Sequence, residues 1–217
     1  MTTPVFQRFA SAALLAAALG GGLSACAPLV VGGVATGVLV ATDRRTSGIQ
    51  LEDEGIELRA ANRLRDALGD KGHVNVTSFN RQVLLTGEVP TEQDKAMVER
   101  VVGQVENVRL VVNELGVMGN SSLTQRSNDA LVSGRVKAAI VDARDLTIHA
   151  FKVVTERGTV HLMGRVTQRE ATRVTDVVRA VQGVQRVVRV FEVISEEELA
   201  RIQPKAEAKP AQGSATY

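Results

Sequence analysis

The stretches Val83-Leu84-Leu85-Thr86-Gly87-Glu88-Val89 and Val160-His161-Leu162-Met163-Gly164-Arg165-Val166 share one pattern: an apolar run, a glycine, a charged residue and a closing valine. Gly87 and Gly164 lie 77 positions apart. Downstream, the valine-rich stretches 101–108 and 177–184 match at an offset of 76. Self-similarity at a fixed spacing is the signature of repeated structural units. The sequence therefore predicts two copies of one small domain.

The copies are predicted at residues 46–116 and 124–195, with a small, polar linker at 117–123. Each copy has the element order α-β-β-α-β, inferred from apolar periodicity, turn residues and helix caps. The predicted elements are first helices at 51–68 and 128–143, hairpins at 74–89 and 148–166 with turns at 80–81 and 156–158, second helices opened by Thr91 and Thr167, and final strands at 108–115 and 184–194. This order predicts an α+β fold with a three-stranded mixed sheet and two helices on one face. Because a unit of this size has a thin core, we expect the two copies to touch.

Composition and motifs argue against catalysis and nucleic-acid binding. The 217 residues carry 26 Lys and Arg against 24 Asp and Glu, a net charge of +2, whereas nucleic-acid-binding domains are strongly basic. No Ser-His-Asp order, phosphate loop or dinucleotide fingerprint is present, so we expect no catalytic residues and no enzyme activity. The three histidines, His73, His149 and His161, do not fall at metal-ligand spacing, and we expect surface or edge histidines and no metal.

The N-terminus is typical of an export signal that ends at a lipidation site. A short apolar run at 9–19 precedes small residues and Cys26, the one cysteine of the chain, which predicts a signal peptide at 1–25. The segment 23–26 (LSAC) resembles the lipobox of bacterial lipoproteins. The resemblance implies a covalent N-acyl diglyceride (palmitate-type acylation) on Cys26 and no other cofactor. Because no Asp follows Cys26, it also implies anchoring in the outer membrane, on the periplasmic face.

Two further segments flank the repeats. Residues 26–45 are predicted to be a lipidated apolar tether, although its glycine-rich part, 28–42, leaves a second membrane helix as an alternative. The segment 43–46 (DRRT) is expected to return the chain to water. Residues 196–217 are predicted to be a disordered tail because their far end is polar and of low complexity.

The element order, the LTGEV motif at 85–89, the LMGRV motif at 162–166 and the valine-rich closing strands resemble the BON domain, a periplasmic module. Two copies behind a lipobox, together with TERG at 155–158, resemble the dual BON-domain outer-membrane lipoproteins, the division- and outer-membrane-stress-associated lipid-binding family. This resemblance implies binding of anionic phospholipid through the first helix of the second domain. It also implies a role in envelope integrity and cell division at the division site.

In this chain the helix predicted at 128–143 carries the candidate lipid-binding residues. Its apolar stripe (Val132, Val136, Ala139, Ile140 and Ala143) predicts the buried face. The candidates beside that stripe are Leu131, Arg135, Lys137, Ala138 and Arg144. An exposed leucine among cations fits an interfacial helix, but it also fits a surface helix with one stray leucine. Family members can carry tryptophan at the Leu131 position, so this departure predicts weaker binding or more dependence on charge.

Other features have structural explanations or leave alternatives open. Gly87 and Gly164 are predicted to be structural, each allowing the close approach of a helix or a bulge. The carboxylates at 52–54 are expected to lie near a helix N-terminus, where the helix dipole favours them. The alternative function is a periplasmic adaptor that binds outer-membrane assembly or cell-wall proteins. A third alternative, a small hydrolase, is disfavoured because the sequence offers no candidate nucleophile paired with a base.

Overall fold

The computed structural model describes residues 43–202. The predicted signal peptide, Cys26, most of the tether and the tail beyond residue 202 lie outside the described residues. The first domain contains α1 (Ser47–Leu68), β1 (His73–Phe79), β2 (Gln82–Val89), α2 (Glu92–Gly103), β3 (Leu110–Asn113) and β4 (Gly116–Val117). The second contains α3 (Leu123–Asp142), β5 (Lys152–Glu156), β6 (Thr159–Val166), α4 (Gln168–Arg179) and β7 (Arg186–Val193), and it is followed by α5 (Glu196–Ile202).

Both domains have the predicted α-β-β-α-β topology. In the first, β2 is central, antiparallel to β1 and parallel to β3 and β4. In the second, β6 is central, antiparallel to β5 and parallel to β7. The fold is therefore α+β with two mixed sheets, as the sequence predicts.

Two-residue turns close both hairpins. Asn80 and Arg81 have φ of 53° and 64°, and Arg157 and Gly158 have φ of 49° and 71°. Two successive positive φ values are those of a type I′ turn, whose twist matches the flanking strands. Glu156, predicted as part of the second turn, is instead the last residue of β5.

Helix starts follow side-chain caps. Thr167 and Glu170 form the predicted capping box of α4, and Thr91 caps α2. Ser122 and Gln125 form a further capping box, so α3 begins at Leu123 rather than at Asn128 as predicted. The reciprocal bonds satisfy two backbone N–H groups that the helix start leaves without partners, which extends the helix through a polar segment without apolar periodicity.

The two sheets pack against each other on the faces that their helices leave free. Along β2, Val83 and Leu85 face the helices of their own domain, whereas Leu84 belongs to a separate cluster shared by the two domains. The buried members of that cluster are Phe79, Leu84, Met163 and Val190. Because successive side chains of a strand point to opposite faces, each central strand contributes to two cores. The expectation that the copies touch is confirmed, and the contact is sheet on sheet.

Polar contacts surround this apolar interface. Arg186 of the second domain pairs with Glu114 of the first at 2.9 Å. The Asn75 amide donates to Glu156 at 3.2 Å, and the Asn80 amide donates to Glu192 at 2.5 Å. These three bonds each join a residue of the first domain to one of the second.

Several predicted boundaries differ from the structure. The strand predicted at 148–155 begins as a 3₁₀ turn, Ile148–Ala150, and becomes regular at Lys152. The predicted strand 108–115 is shortened to β3 (Leu110–Asn113), because Asn113 Oδ1 accepts from the Leu115 N–H and Leu115 turns into the core. β4 (Gly116–Val117) follows beyond the predicted end of the strand. The tail predicted to be disordered from residue 196 is helical through Ile202, since Leu199 is buried and Ser195 accepts from the Glu198 N–H.

The end of the predicted tether belongs to the folded unit. Arg44 is buried, and its guanidinium donates to both carboxylate oxygens of Glu170, at 2.7 and 2.8 Å. It also donates to the backbone carbonyl of Arg165 at 2.7 Å. The segment was expected to return the chain to water. It instead joins the start of the first domain to the second, because a bidentate arginine–carboxylate pair can satisfy both buried charges.

Candidate functional site

The outward face of α3 carries a row of exposed apolar residues. Val132, Val136 and Ile140 are buried, as their spacing predicts. Leu131 is 60% exposed, and Gly134, Ala138 and Val141 are also exposed. These four residues recur at intervals of three and four, so they form a single stripe opposite the core. We call the exposed residues Leu131, Gly134, Ala138 and Val141 the outer stripe.

Cations flank the outer stripe on both sides. Arg135 lies on one side and Lys137 on the other, together with Arg126 from the first turn, and Arg144 follows just beyond the end of the helix. Arg135, Lys137 and Arg144 form no salt bridge within residues 43–202, and Arg135 makes only a 3.5 Å contact with the Gln182 carbonyl. The exposed carboxylate on α3 is Asp142, the last residue of the helix. Of the five candidate lipid-binding residues, Leu131 and Ala138 therefore belong to the outer stripe, Arg135 and Lys137 lie on its opposite flanks, and Arg144 follows the end of the helix.

The corresponding helix of the first domain has the opposite charge balance. Helix α1 carries five acidic residues against three basic ones. Helix α3 carries three basic residues and two acidic ones, of which Asp129 is buried. Leu58 of α1 is 65% exposed, which is similar to the exposed fraction of Leu131 on α3. The two helices thus present similar apolar exposure in different electrostatic settings.

A groove of about 540 Å³ lies beside the outer stripe, between α3 and the hairpin turn of the second domain. Leu131 and Arg135 form its rim, and Arg157 also lines it. Amide side chains of Gln125, Asn128 and Gln185 complete its polar lining. The groove offers hydrogen-bond donors of the kind that hold phosphate or glycerol groups.

Each domain uses a buried aspartate on its first helix to hold its hairpin turn. Asp53 accepts from the backbone N–H groups of Asn80 and Arg81, at 2.8 and 2.7 Å. Asp129 accepts from those of Arg157 and Gly158, both at 2.8 Å. Asp53 therefore lies well inside α1 instead of serving the helix N-terminus, as was expected of the 52–54 cluster. The 76-residue offset between the two aspartates is the sequence signal that identifies this pair.

Gly87 and Gly164 are required by the backbone of a neighbouring segment. A Cβ at Gly87, whose φ is 107°, would overlap the carbonyl oxygen of His73 on β1. A Cβ at Gly164 would overlap the carbonyl oxygen of Ala150. The sequence left the approach of a helix or a bulge as alternatives, and the close neighbour in both domains is a backbone carbonyl, not a helix.

His161 is buried between the two sheets, which corrects the expectation of a surface or edge histidine. It points from β6 into the interface because residues at alternate positions, such as Leu162, face the helices. Neither ring nitrogen has a hydrogen-bond partner within the described residues, and Nε2 lies 3.8 Å from Glu114. Burial lowers the pKa of His161, although the Glu114 carboxylate acts in the opposite direction. Burial therefore favours the neutral form of the ring.

A second polar cluster lies at the domain boundary and joins His73, Glu88 and Glu156, whose ligand atoms lie within 4.8 Å of one another. Burial would raise the pKa of Glu88, but the hydrogen bond and charge of Arg157, helped by the nearby Ser121 backbone, hold it below its usual range. Burial raises the pKa of Glu156, and the negative charge of Glu88 adds to this effect. Sequence spacing did not indicate this cluster because its members come from both domains.

No helix within residues 43–202 combines the length and apolar character needed to cross a bilayer. The α3 surface and the interdomain clusters are lined by charged and polar side chains. They do not pair a nucleophile with a base.

Comparison with known proteins gives the family. Residues 52–119 and 128–195 match the BON domain. The chain is 38% identical over 175 residues to the outer membrane lipoprotein DolP of Haemophilus influenzae, covering 79% of this chain and 90% of that protein. It is 30% identical over 154 residues to a 21 kDa hemolysin of Actinobacillus pleuropneumoniae, covering 70% and 79%.

Among solved structures, the C-terminal domain of CdsD, a structural protein of the Type III secretion system of Chlamydia trachomatis, is similar over 66% of this chain and 67% of its own. Its identity of 15% and TM-score of 0.27 are too low to support any argument about this chain. The family match covers both repeats, and the DolP match covers most of the chain. The chain therefore belongs to the BON family, as a dual BON-domain lipoprotein similar to DolP.

Proposed function

We propose that this protein is anchored in the outer membrane through Cys26 and binds anionic phospholipid through α3 of its second BON domain. The observation that carries the proposal is the outer stripe of α3, flanked by cations that have no carboxylate partner in the described part of the chain. An apolar side chain enters the acyl boundary while cations contact lipid phosphates, which is how interfacial helices bind. The similarity to an outer membrane lipoprotein supports the anchor.

The expected affinity of the helix alone is low. Arg135, Lys137 and Arg144 contribute about 1 kcal/mol each near an anionic surface, and burial of Leu131 adds about 2 kcal/mol. A total near 5 kcal/mol corresponds to a dissociation constant of about 0.2 mM. The acyl anchor makes this contact intramolecular and raises its occupancy without any new contact.

Vesicle sedimentation tests the proposal with a fragment from Asp43 to Tyr217, which retains the Arg44 contacts and lacks the apolar N-terminal segment. We expect the fragment to bind vesicles that contain phosphatidylglycerol and not vesicles of phosphatidylcholine alone. Leu131→Glu should weaken binding at least tenfold, because it removes the inserting side chain and adds a repelling charge. Leu58→Glu, at a leucine of similar exposure on the acidic helix α1, is the matched control and should bind normally.

The charge contribution has its own test. Replacing both Arg135 and Lys137 by Gln in one variant should cost about 2 kcal/mol of binding free energy, or about 30-fold in affinity. Binding that is independent of lipid charge, or equally sensitive to Leu58→Glu and Leu131→Glu, would contradict the proposal.

The wider role that we propose is maintenance of outer-membrane integrity at the division site. A fluorescent fusion should collect at mid-cell and lose this position with Leu131→Glu. The alternative, an adaptor for outer-membrane assembly or cell-wall proteins, predicts that Leu131→Glu abolishes vesicle binding but leaves both mid-cell position and detergent permeability unchanged. That result would replace the lipid proposal for the cellular role.

A further inference from the structure

The cluster of His73, Glu88 and Glu156 lies where the two domains meet. His73 begins β1 and Glu88 lies opposite it on β2, as their pairing in the first sheet shows. Glu156 ends β5 of the second sheet. The three side chains therefore approach one point from two different domains.

One carboxylate oxygen in this cluster has no hydrogen-bond partner among residues 43–202. Glu88 is fully buried, and its Oε1 accepts from Arg157 Nε at 2.6 Å. Its Oε2 is buried and unpaired, and so is His73 Nδ1, which lies 3.5 Å away. Buried polar atoms without partners cost free energy, so each such pair in a folded protein requires an explanation.

The geometry fits a metal ion. Tetrahedral zinc with bonds of about 2.0–2.1 Å places neighbouring ligand atoms about 3.3 Å apart. The 3.5 Å separation of His73 Nδ1 and Glu88 Oε2 is close to this value. Glu156 lies within 4.8 Å of the other two ligand atoms and is only partly buried, so rotation of its side chain can bring an oxygen into place.

The donor set selects the kind of metal. Imidazole favours zinc and its transition-metal neighbours, whereas calcium and magnesium prefer oxygen ligands alone. Two carboxylates and the Arg157 guanidinium leave the cluster with a net charge of −1 when His73 is neutral, which a divalent cation reverses. His73 is 25% exposed, so water can reach a fourth coordination position.

We propose that His73, Glu88 and Glu156 form a zinc site that joins the two BON domains. The metal satisfies Glu88 Oε2 and His73 Nδ1 and links a strand of each sheet. The site includes no residue of the outer stripe of α3 and does not depend on the lipid-binding proposal.

Zinc binding is measured by equilibrium dialysis of the full chain in detergent, with zinc chloride alone as the probe. All samples carry Cys26→Ser, so that a free thiol cannot bind the metal. We expect about one zinc per chain. His73→Ala and Glu156→Gln should each lower the affinity at least tenfold, since removing even an outer contact of a metal site costs about 10–100-fold. His149→Ala, at an exposed histidine away from the cluster, should bind zinc normally.

A thermal melt of the same samples gives a second readout. Zinc should raise the melting temperature of the parent chain and of His149→Ala, because a metal that binds only the folded state stabilises it. Zinc should leave the melting temperatures of His73→Ala and Glu156→Gln unchanged. Circular dichroism without zinc confirms that each variant is folded, and Glu156→Gln keeps the shape of the side chain. Absence of stoichiometric binding in the parent chain, or equal affinity in a folded His73→Ala or Glu156→Gln variant, overturns the proposal.

Discussion

The buried ion pair between Arg44 and Glu170 should contribute strongly to stability, and Arg44→Met tests this. The side chains of the two residues are only 3% and 5% exposed. Met keeps the apolar stem of Arg44 but leaves the Glu170 carboxylate buried without its cation. Removing one partner of a buried pair costs about 3–5 kcal/mol, because an uncompensated charge remains. Glu170 keeps its bond from the Thr167 N–H, so we expect the lower end, about 3 kcal/mol.

A double-mutant cycle separates the pair from its surroundings. Glu170→Gln keeps an acceptor for the Thr167 N–H, since Gln also completes a capping box. The double variant Arg44→Met, Glu170→Gln removes both charges and should lie within about 1 kcal/mol of the parent chain, because no buried charge is left without its partner. The coupling energy should therefore exceed about 2 kcal/mol.

The assay is urea unfolding followed by far-ultraviolet circular dichroism, with the midpoint and slope fitted for each variant. Arg173→Met is the matched control, because Arg173 pairs with Asp145 at 3.0 Å but both side chains are about half exposed. Exposed pairs contribute about 0–1 kcal/mol. Equal costs for Arg44→Met and Arg173→Met would refute the reasoning.

The pH dependence of the pair has a defined sign. Burial favours the neutral acid, but the hydrogen bond and charge of Arg44, together with the Thr167 N–H, hold the pKa of Glu170 below its usual range. A lowered carboxyl pKa in the folded state gives stability that is present above the ordinary value and is lost as the pH falls. The difference between Arg44→Met and the parent chain should therefore narrow as the pH is taken below about 4.5.

Three further predictions concern the interface and the hairpins. Burial lowers the pKa of His161, so the unfolded chain binds a proton at a higher pH than the folded chain does. Stability should therefore fall as the pH is lowered from 7.5 to 5.5, and the urea midpoint of His161→Leu should depend less on pH across this range. Gly87→Ala should destabilise the chain by about 3 kcal/mol or more through backbone overlap and strain, whereas Gly134→Ala, in an open position of α3, should stabilise it by about 0.5–1 kcal/mol. An unchanged midpoint for Gly87→Ala would contradict this. Asp129→Ala leaves two turn N–H groups without acceptors and should cost about 2–4 kcal/mol in urea unfolding; a cost below about 0.5 kcal/mol would show that water replaces the carboxylate.

Much of the fold could be predicted because its signals are local. The repeat offset, the hairpin turns and the capping threonines each depend on a few neighbouring residues. Helix α3 began earlier than predicted because its first residues are polar, and the start depends on the Ser122–Gln125 box instead of apolar periodicity. Exposure of Leu131 follows from the helical period.

The interdomain features could not be predicted in the same way. The burial of His161 depends on the second sheet covering the face of β6 that a single domain would leave in water. A hint was present in the consecutive apolar residues Val83, Leu84 and Leu85 of β2, because strands that are buried on both faces lack alternation. The meeting of His73 with Glu156 joins residues more than 80 positions apart, and no local pattern encodes it.

The packing of one sheet on the other also bears on how such a duplicated chain arises. A solitary first domain would leave Leu84 uncovered, and a solitary second domain would leave Met163 uncovered, each on an apolar sheet face. Such a face favours self-association, so an ancestral single unit would be expected to exist as a homodimer. Fusing two copies into one polypeptide makes that pairing independent of concentration, and it then allows the two helical exteriors to diverge, one towards acidic and the other towards basic character.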